Sequence, residues 1–283
     1  MIAMEKGRGT DTKSSISSPA EHIRSVEART YDRLGYHDRR PHWVIQEKAY
    51  TLRLNGKEIL TLLCAGHHVD ELAVGFFHGE GFLESLEDLV KVEVDPEAGT
   101  IDVSSRSESA FANRLWQKRT VTSGCGKGSL FYFALDALLS HPNESSLKVR
   151  PHQIVERVED LNRLSETYRH THGVHNTALM EPDRVVLFRD DIGRHNAVDM
   201  IAGYVLLNKV SLDDKLLLTT GRLTSEIVIK AAKIGLPMVV SRNTASSLAI
   251  ELARSLNITL IGYARAGKFT VYSGFDRVVG DVT

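Results

Sequence analysis

The chain has 283 residues, a formal net charge of -1 and two cysteines, Cys64 and Cys125. That length can bury a full core, as one large domain or two smaller ones. The near-zero charge excludes a general nucleic-acid binder, two cysteines exclude a disulfide framework, and no window is apolar and long enough to span a bilayer.

Residues 1–42 are rich in Ser, Arg, Glu and Asp with few large apolar side chains, which reads as a disordered or loosely attached tail. The polar N-terminus lacks the apolar core of a signal peptide, so a cytoplasmic location is expected. Regular structure is predicted from about Trp43. Residues 49–54 alternate apolar and polar, Asn55-Gly56 is a strong hairpin signal, and residues 58–63 return as the second strand. Cys64 ends that apolar run and is expected to pack as a small hydrophobe. A helix follows over about 70–86, weakened by Gly79 and Gly81. A second hairpin is predicted over 90–94 and 100–103.

The run Thr122-Ser-Gly-Cys-Gly-Lys-Gly-Ser129 closes this first α+β portion, 43–128. Alternate glycines free the backbone for left-handed or extended angles, and Lys127 and the start of the next helix favour thiolate over thiol at Cys125. A reactive Cys125 is preferred over a merely small turn residue. Helices are expected over 130–139 and 152–168. Beyond them strands (177–180, 184–188, 215–218, 238–240, 259–261) alternate with helices (to about 207, then 224–234 and 246–256). Near-continuous apolar strands separated by helices imply a parallel sheet covered on both faces, so residues 129–283 read as an α/β domain.

Polar residues gather just after successive strands of this second portion. Arg189, Asp190, Asp191, Arg194 and His195 follow one, and Thr219, Thr220, Gly221 and Arg222 the next. Ser241, Arg242, Asn243 and Thr244 follow a third, and Tyr263, Arg265, Gly267 and Lys268 a fourth. In an open α/β sheet these positions share the carboxyl edge, where ligands bind. So many cations on one edge would repel one another without an anion, and a phosphorylated ligand is the natural occupant. Any one of these arginines alone is more often a solvated surface residue; their convergence makes the case.

The run Gly262-Tyr-Ala-Arg-Ala-Gly-Lys268 matches the start of a phosphate-cradling loop, but Phe269 stands where Ser or Thr should bind magnesium and the following residues read as a strand. An NTPase is therefore rejected and a basic turn kept. His175 and His195, beside Asn176 and Asn196, are candidates for hydrogen bonding a base, ribose or thiolate. A zinc deaminase would need His-x-Glu and a later Pro-Cys-x-x-Cys, and no Cys-x-x-Cys occurs, so no metal site is expected.

Taken together, these segments resemble the FdhD family, the formate dehydrogenase accessory sulfurtransferases, from about Tyr50 to Gly274. The carrying motifs are Asp70-Glu-Leu-Ala-Val-Gly-Phe, Thr122-Ser-Gly-Cys-Gly, His172-Gly-Val-His, Asp190-Asp-Ile-Gly-Arg-His-Asn-Ala-Val-Asp199, Thr220-Gly-Arg and Gly262-Tyr-Ala-Arg-Ala-Gly-Lys-Phe-Thr-Val-Tyr272. The resemblance implies a sulfur carrier required for formate dehydrogenase. It would take persulfide sulfur from a cysteine desulfurase and pass it to molybdenum bis-guanine-dinucleotide cofactor, bound as cargo. It also implies a homodimer and a C-terminal α/β sheet like that of cytidine deaminases, without their zinc. By motif position Cys125 would carry the persulfide, and Tyr263, Ala264, Arg265, Ala266, Gly267 and Lys268 would contact the cofactor. Arg194, His195, Asn196, Arg222 and Ser241 are further candidate contacts at the same edge. Many members have a second loop cysteine where this chain has Gly128, which leaves a one-cysteine relay. The alternatives are a non-catalytic chaperone that holds and delivers the cofactor, and a cysteine hydrolase built on Cys125 and His195.

Overall fold

A computed structural model describes residues 22–83, 85–106 and 141–280. The Cys125 loop, the helix expected at 130–139 and the 128/129 boundary lie outside the described residues. Among the described residues no helix is long and apolar enough to cross a membrane.

Strands begin some twenty residues earlier than the composition suggests. β1 (Ile23–Asp32) and β2 (Gly35–Ile45) form an antiparallel ribbon inside the stretch read as a loose tail. Both faces of the ribbon are largely exposed, so its strands carry none of the alternation that marks a half-buried strand. Its base is tied down: His22 is buried against the His67 ring, 4.8 Å between centroids.

β3 (Lys48–Leu54) and β4 (Lys57–Cys64) pair through the turn at Asn55 and Gly56, both at positive φ as a tight hairpin turn requires. With β5 (Leu89–Asp95) and β6 (Thr100–Ser105) they make a four-stranded sheet in the order β4-β3-β6-β5. Tyr50, Leu52, Leu54, Ile101 and Val103 point inward onto Leu72, Phe76 and Phe77 of α1 (Val69–Gly79). The helix stops at the first of the two glycines, short of the predicted 86.

The second sheet has six strands in the order β12-β11-β10-β9-β7-β8. Its strands are β7 (His175–Met180), β8 (Val185–Asp191), β9 (Leu216–Thr219), β10 (Met238–Ser241), β11 (Thr259–Arg265) and β12 (Lys268–Ser273). β9, β10 and β11 are parallel neighbours, whereas β7 runs antiparallel to both β8 and β9 and β12 antiparallel to β11. The expected parallel sheet is thus mixed. The β7–β8 and β11–β12 connections are too short for a crossover and can only make hairpins. β8, β9, β10 and β11 still point the same way, so their carboxyl ends share one edge, where β7 begins.

Helices cover both faces of this sheet. α2 (Pro151–Leu164) lays Ile154, Val158 and Leu161 over Ala178, Met180, Leu216, Leu218, Val240 and Ile261. The predicted 152–168 helix breaks at Ser165, whose hydroxyl caps α3 (Glu166–Thr171) by accepting from Tyr168 N at 2.8 Å. On the other face α4 (Arg194–Asn208), α5 (Ser225–Lys233) and α6 (Ser247–Ser255) pack onto Leu179, Leu217, Val239 and Leu260.

α4 also joins the two sheets, because its far side carries α1. The helices touch backbone to backbone: a Cβ at Gly75 would sit 1.8 Å from Asp199 O, and one at Gly203 1.9 Å from Glu71 O. Around that crossing, Arg189 donates Nε and Nη2 to Glu71 at 2.6 and 2.7 Å, and the buried Lys230 ammonium pairs with Asp199.

Candidate functional site

The edge residues fall into two groups along the edge, one at the ends of β7 and β9 and one at the β11–β12 turn. His175 and Thr177 of β7 face the α4–α6 side with Leu179, and Thr219 and Ser241 lie on that side of β9 and β10. The Thr177 and Thr219 hydroxyls share a hydrogen bond of 3.0 Å, and Asn176 N donates to Thr220 Oγ1 at 3.0 Å. Arg194, the first residue of α4, lies across Gly221, where a Cβ would stand 2.9 Å from Arg194 Cβ. His195 Nε2 is 3.0 Å from Glu226 Oε2 of α5. Burial first, then the charges of Arg194, His195 and Arg222, hold the His175 pKa below its ordinary value. The four basic residues therefore form one electrostatic cluster at the β7–β9 edge.

The Asp190 to Asn196 segment is partly structural. Asp191 accepts from Ala65 N at 2.7 Å, Gly193 N at 2.8 Å and Asn196 Nδ2 at 2.8 Å, and Asn196 Nδ2 also donates to Leu63 O at 2.9 Å. Asn196 thus spends its amide nitrogen tying β4 to the start of α4. Asp190 accepts from Ser165 Oγ at 2.6 Å and pairs with buried His67, whose Nε2 lies 3.1 Å from Asp190 Oδ1. Ser241 is likewise buried, donating to Gly221 O at 2.6 Å and accepting from Asn243 N at 2.9 Å. It shapes the β10 end.

The second group lies at the β11–β12 end, where Ala264 and Phe269 face α2 and Arg265 and Lys268 alternate away from it. β11 and β12 meet through Ala266 and Gly267, both at positive φ, in a two-residue turn closed by the Arg265–Lys268 pair. A hairpin and not a strand–loop–helix follows Gly262, in agreement with the rejection of an NTPase loop. Tyr263, itself at φ 52, is exposed with the Arg265 guanidinium 5.6 Å from its ring centre. Ala264 is buried beneath, while Arg265, Ala266, Gly267 and Lys268 face solvent. Between this turn and α2 runs a cleft of about 100 Å³ lined by Val155, Val158, Glu159, Asn162, Arg242 and Phe269, among others. It adjoins a wider groove at Pro151, His152 and Glu156.

The structure therefore brings Tyr263 to Lys268 together at the β11–β12 turn and Arg194, His195 and Arg222 together near the ends of β7 and β9. Asn196 and Ser241 it places in the interior, and Cys125 lies outside the described residues. Sequence reasoning missed Asn162, which accepts from Arg242 Nη1 at 2.6 Å, and Glu159 beside it in the cleft. In the sequence both sit on the polar stripe of an amphipathic helix, where nothing distinguishes them from solvated residues. It also missed His67, whose one visible signal was the double histidine His67-His68 ahead of α1.

Comparison with known proteins covers nearly all of this architecture. The profile of the FdhD/NarQ family matches residues 45–279. The sulfur carrier protein FdhD of Bacillus subtilis (strain 168) is 38% identical over 235 residues, 83% of this chain and 90% of that protein. The protein of the same name from Listeria innocua is 36% identical over 258 residues, 90% of this chain and 97% of its own. A crystal structure from Desulfotalea psychrophila, provisionally designated a formate dehydrogenase accessory protein, superposes with a TM-score of 0.75 at 26% identity, covering 91% of this chain and all of the other. With a match of that length joining the four-stranded sheet, the α1–α4 crossing and the basic β11–β12 turn, this chain belongs to the FdhD/NarQ family.

Proposed function

We propose that the protein is a sulfur carrier serving formate dehydrogenase. The observation that carries this reading is the near full-length match to proteins named sulfur carrier protein FdhD. In the proposed reaction the Cys125 thiolate attacks the outer sulfur of a donor persulfide on a cysteine desulfurase. A new S–S bond forms at Cys125, the donor's S–S bond breaks, and the donor cysteine leaves as thiolate. The outer sulfur would then pass to molybdenum bis-guanine-dinucleotide cofactor, held as cargo: the S–S bond at Cys125 breaks, Cys125 leaves as thiolate, and the cargo supplies the two electrons that take the sulfur to sulfide.

The basic turn suits the dinucleotide part of that cargo. Lys268 and Arg265 offer charge to phosphates, the Tyr263 ring a stacking surface, and the cleft against α2 an apolar floor with Asn162 and Arg242 on its rim. Arg194, His195 and Arg222 would meet anionic groups further along the same edge, near β7 and β9. Asn196 and Ser241 would act indirectly, by holding those segments in place.

Incubation with a cysteine desulfurase and cysteine, followed by peptide mass spectrometry, tests the reading. A gain of one sulfur atom on the Cys125 peptide is expected. Cys125→Ala should abolish formate dehydrogenase maturation while cofactor binding survives. Undiminished maturation by that variant would leave only a carrier of the cofactor.

A further inference from the structure

On the α4–α5 side of the sheet edge, four basic side chains converge from three separate elements. His175 comes from the start of β7, Arg194 and His195 from the first turn of α4, and Arg222 from the connection after β9. Among the described residues Glu226 Oε2 approaches this cluster at His195, 3.0 Å from its Nε2. Arg194 is the member least free to escape. Its stem is pressed along Gly221, with a Cβ there also only 3.2 Å from Arg194 Cδ, and its Nε is fully buried with no hydrogen-bond partner among the described residues. A buried donor left unmade is costly, and more so when charged, so this arrangement calls for an acceptor beyond the described residues, which a bound anion supplies. Thr224 Oγ1, two residues beyond Arg222, is also buried with no partner among the described residues.

The helix starts agree. Ser246 caps α6 through its own side chain, whereas among the described residues Gly193 and Thr224 give α4 and α5 no side-chain cap, which leaves room there for another acceptor. The donors arrive from several directions, which suits a compact tetrahedral oxyanion better than a planar carboxylate. The β11–β12 turn lies further along the edge, with β10 between it and β9, so an anion here needs no contact with Lys268.

We propose that His175, Arg194 and Arg222 form an oxyanion site for a phosphate-class group, separate from the basic β11–β12 turn. The site stands independently of the sulfur-carrier reading, since it is argued from charge and unmet donors alone.

Inorganic phosphate titrated into the full-length protein, followed by calorimetry or phosphorus NMR, tests it. Arg194→Gln should weaken binding by about tenfold or more, the equivalent of one charge-assisted contact, while Lys268→Gln leaves it within about twofold. Arg222→Gln, at an exposed position, serves as the second variant should Arg194→Gln fail to fold, and should weaken binding in the same sense. The proposal is overturned if the wild-type protein takes up no phosphate at tens of millimolar, if both arginine variants bind like wild type, or if Lys268→Gln loses as much as Arg194→Gln. A protein that accepts no sulfur at Cys125 yet shows the expected pattern keeps the oxyanion site and loses the carrier reading.

Discussion

His67 joins three segments: the base of the β1–β2 ribbon through His22, the β8 end through Asp190, and through Asp190 the α2–α3 break at Ser165. Burial alone would lower its pKa, but the hydrogen bonds and charge of Asp190 outweigh that and raise it above the ordinary 6.5. For Asp190 burial pulls upward, yet hydrogen bonds from His67, Ser165 and Thr167 leave its pKa below the ordinary 3.8. A raised histidine contributes stability that is complete below 6.5 and fades as pH rises through the folded value. A depressed carboxyl contributes above 3.8 and fades in acid. Denaturant midpoints should therefore fall on both sides of mildly acidic pH. His67→Gln should remove the loss on the alkaline side and cost about 3 kcal/mol, because a buried charge loses its partner. An unchanged alkaline slope would locate that titration elsewhere. Cys64 behaves oppositely to a carrier: burial, with Asp191 nearby, pushes its thiol up to about 12. Under native conditions iodoacetamide should leave Cys64 unmodified, and desulfurase should leave no sulfur on it; labelling there without unfolding would contradict the packing.

Among the elements, the α1–α4 crossing has the least room for change. Gly75 and Gly203 let each backbone approach the other to contact distance, which lets Glu71 and Arg189 meet in a buried bidentate pair and brings Met200 into the first core. Gly203→Ala should cost about 3 kcal/mol or more, since the intruding atom meets backbone that cannot rotate aside. Gly75→Ala should act alike. Because either methyl group already forces the helices apart, the double variant should cost less than the sum of the two. Additive losses in a double-mutant cycle would mean that the two contacts yield separately. Gly75 stands within one of the motifs quoted for the family resemblance, but no local pattern marks either glycine as the point where two helices touch.

For the whole molecule, the local patterns decided a good deal. Asn55-Gly56 placed the first hairpin, the apolar strand runs of the second portion placed the six-stranded sheet to within a few residues, and the run of polar residues after each strand marked the edge where both clusters lie. These are properties of neighbouring residues, and neighbouring residues determine turns, periodicity and strand ends. The loose-tail reading failed for 22–42 because an exposed two-stranded ribbon buries too little to leave a hydrophobic pattern. The 152–168 helix split because Ser165 is drawn to Asp190, a partner 25 residues away. Which edge residues share a face also depends on strand direction and side-chain alternation across the sheet. Tertiary structure alone separated the Lys268 turn from the Arg194 cluster and committed Asn196 and Ser241 to the interior, because burial and hydrogen-bond partners belong to the packed whole and to no single segment.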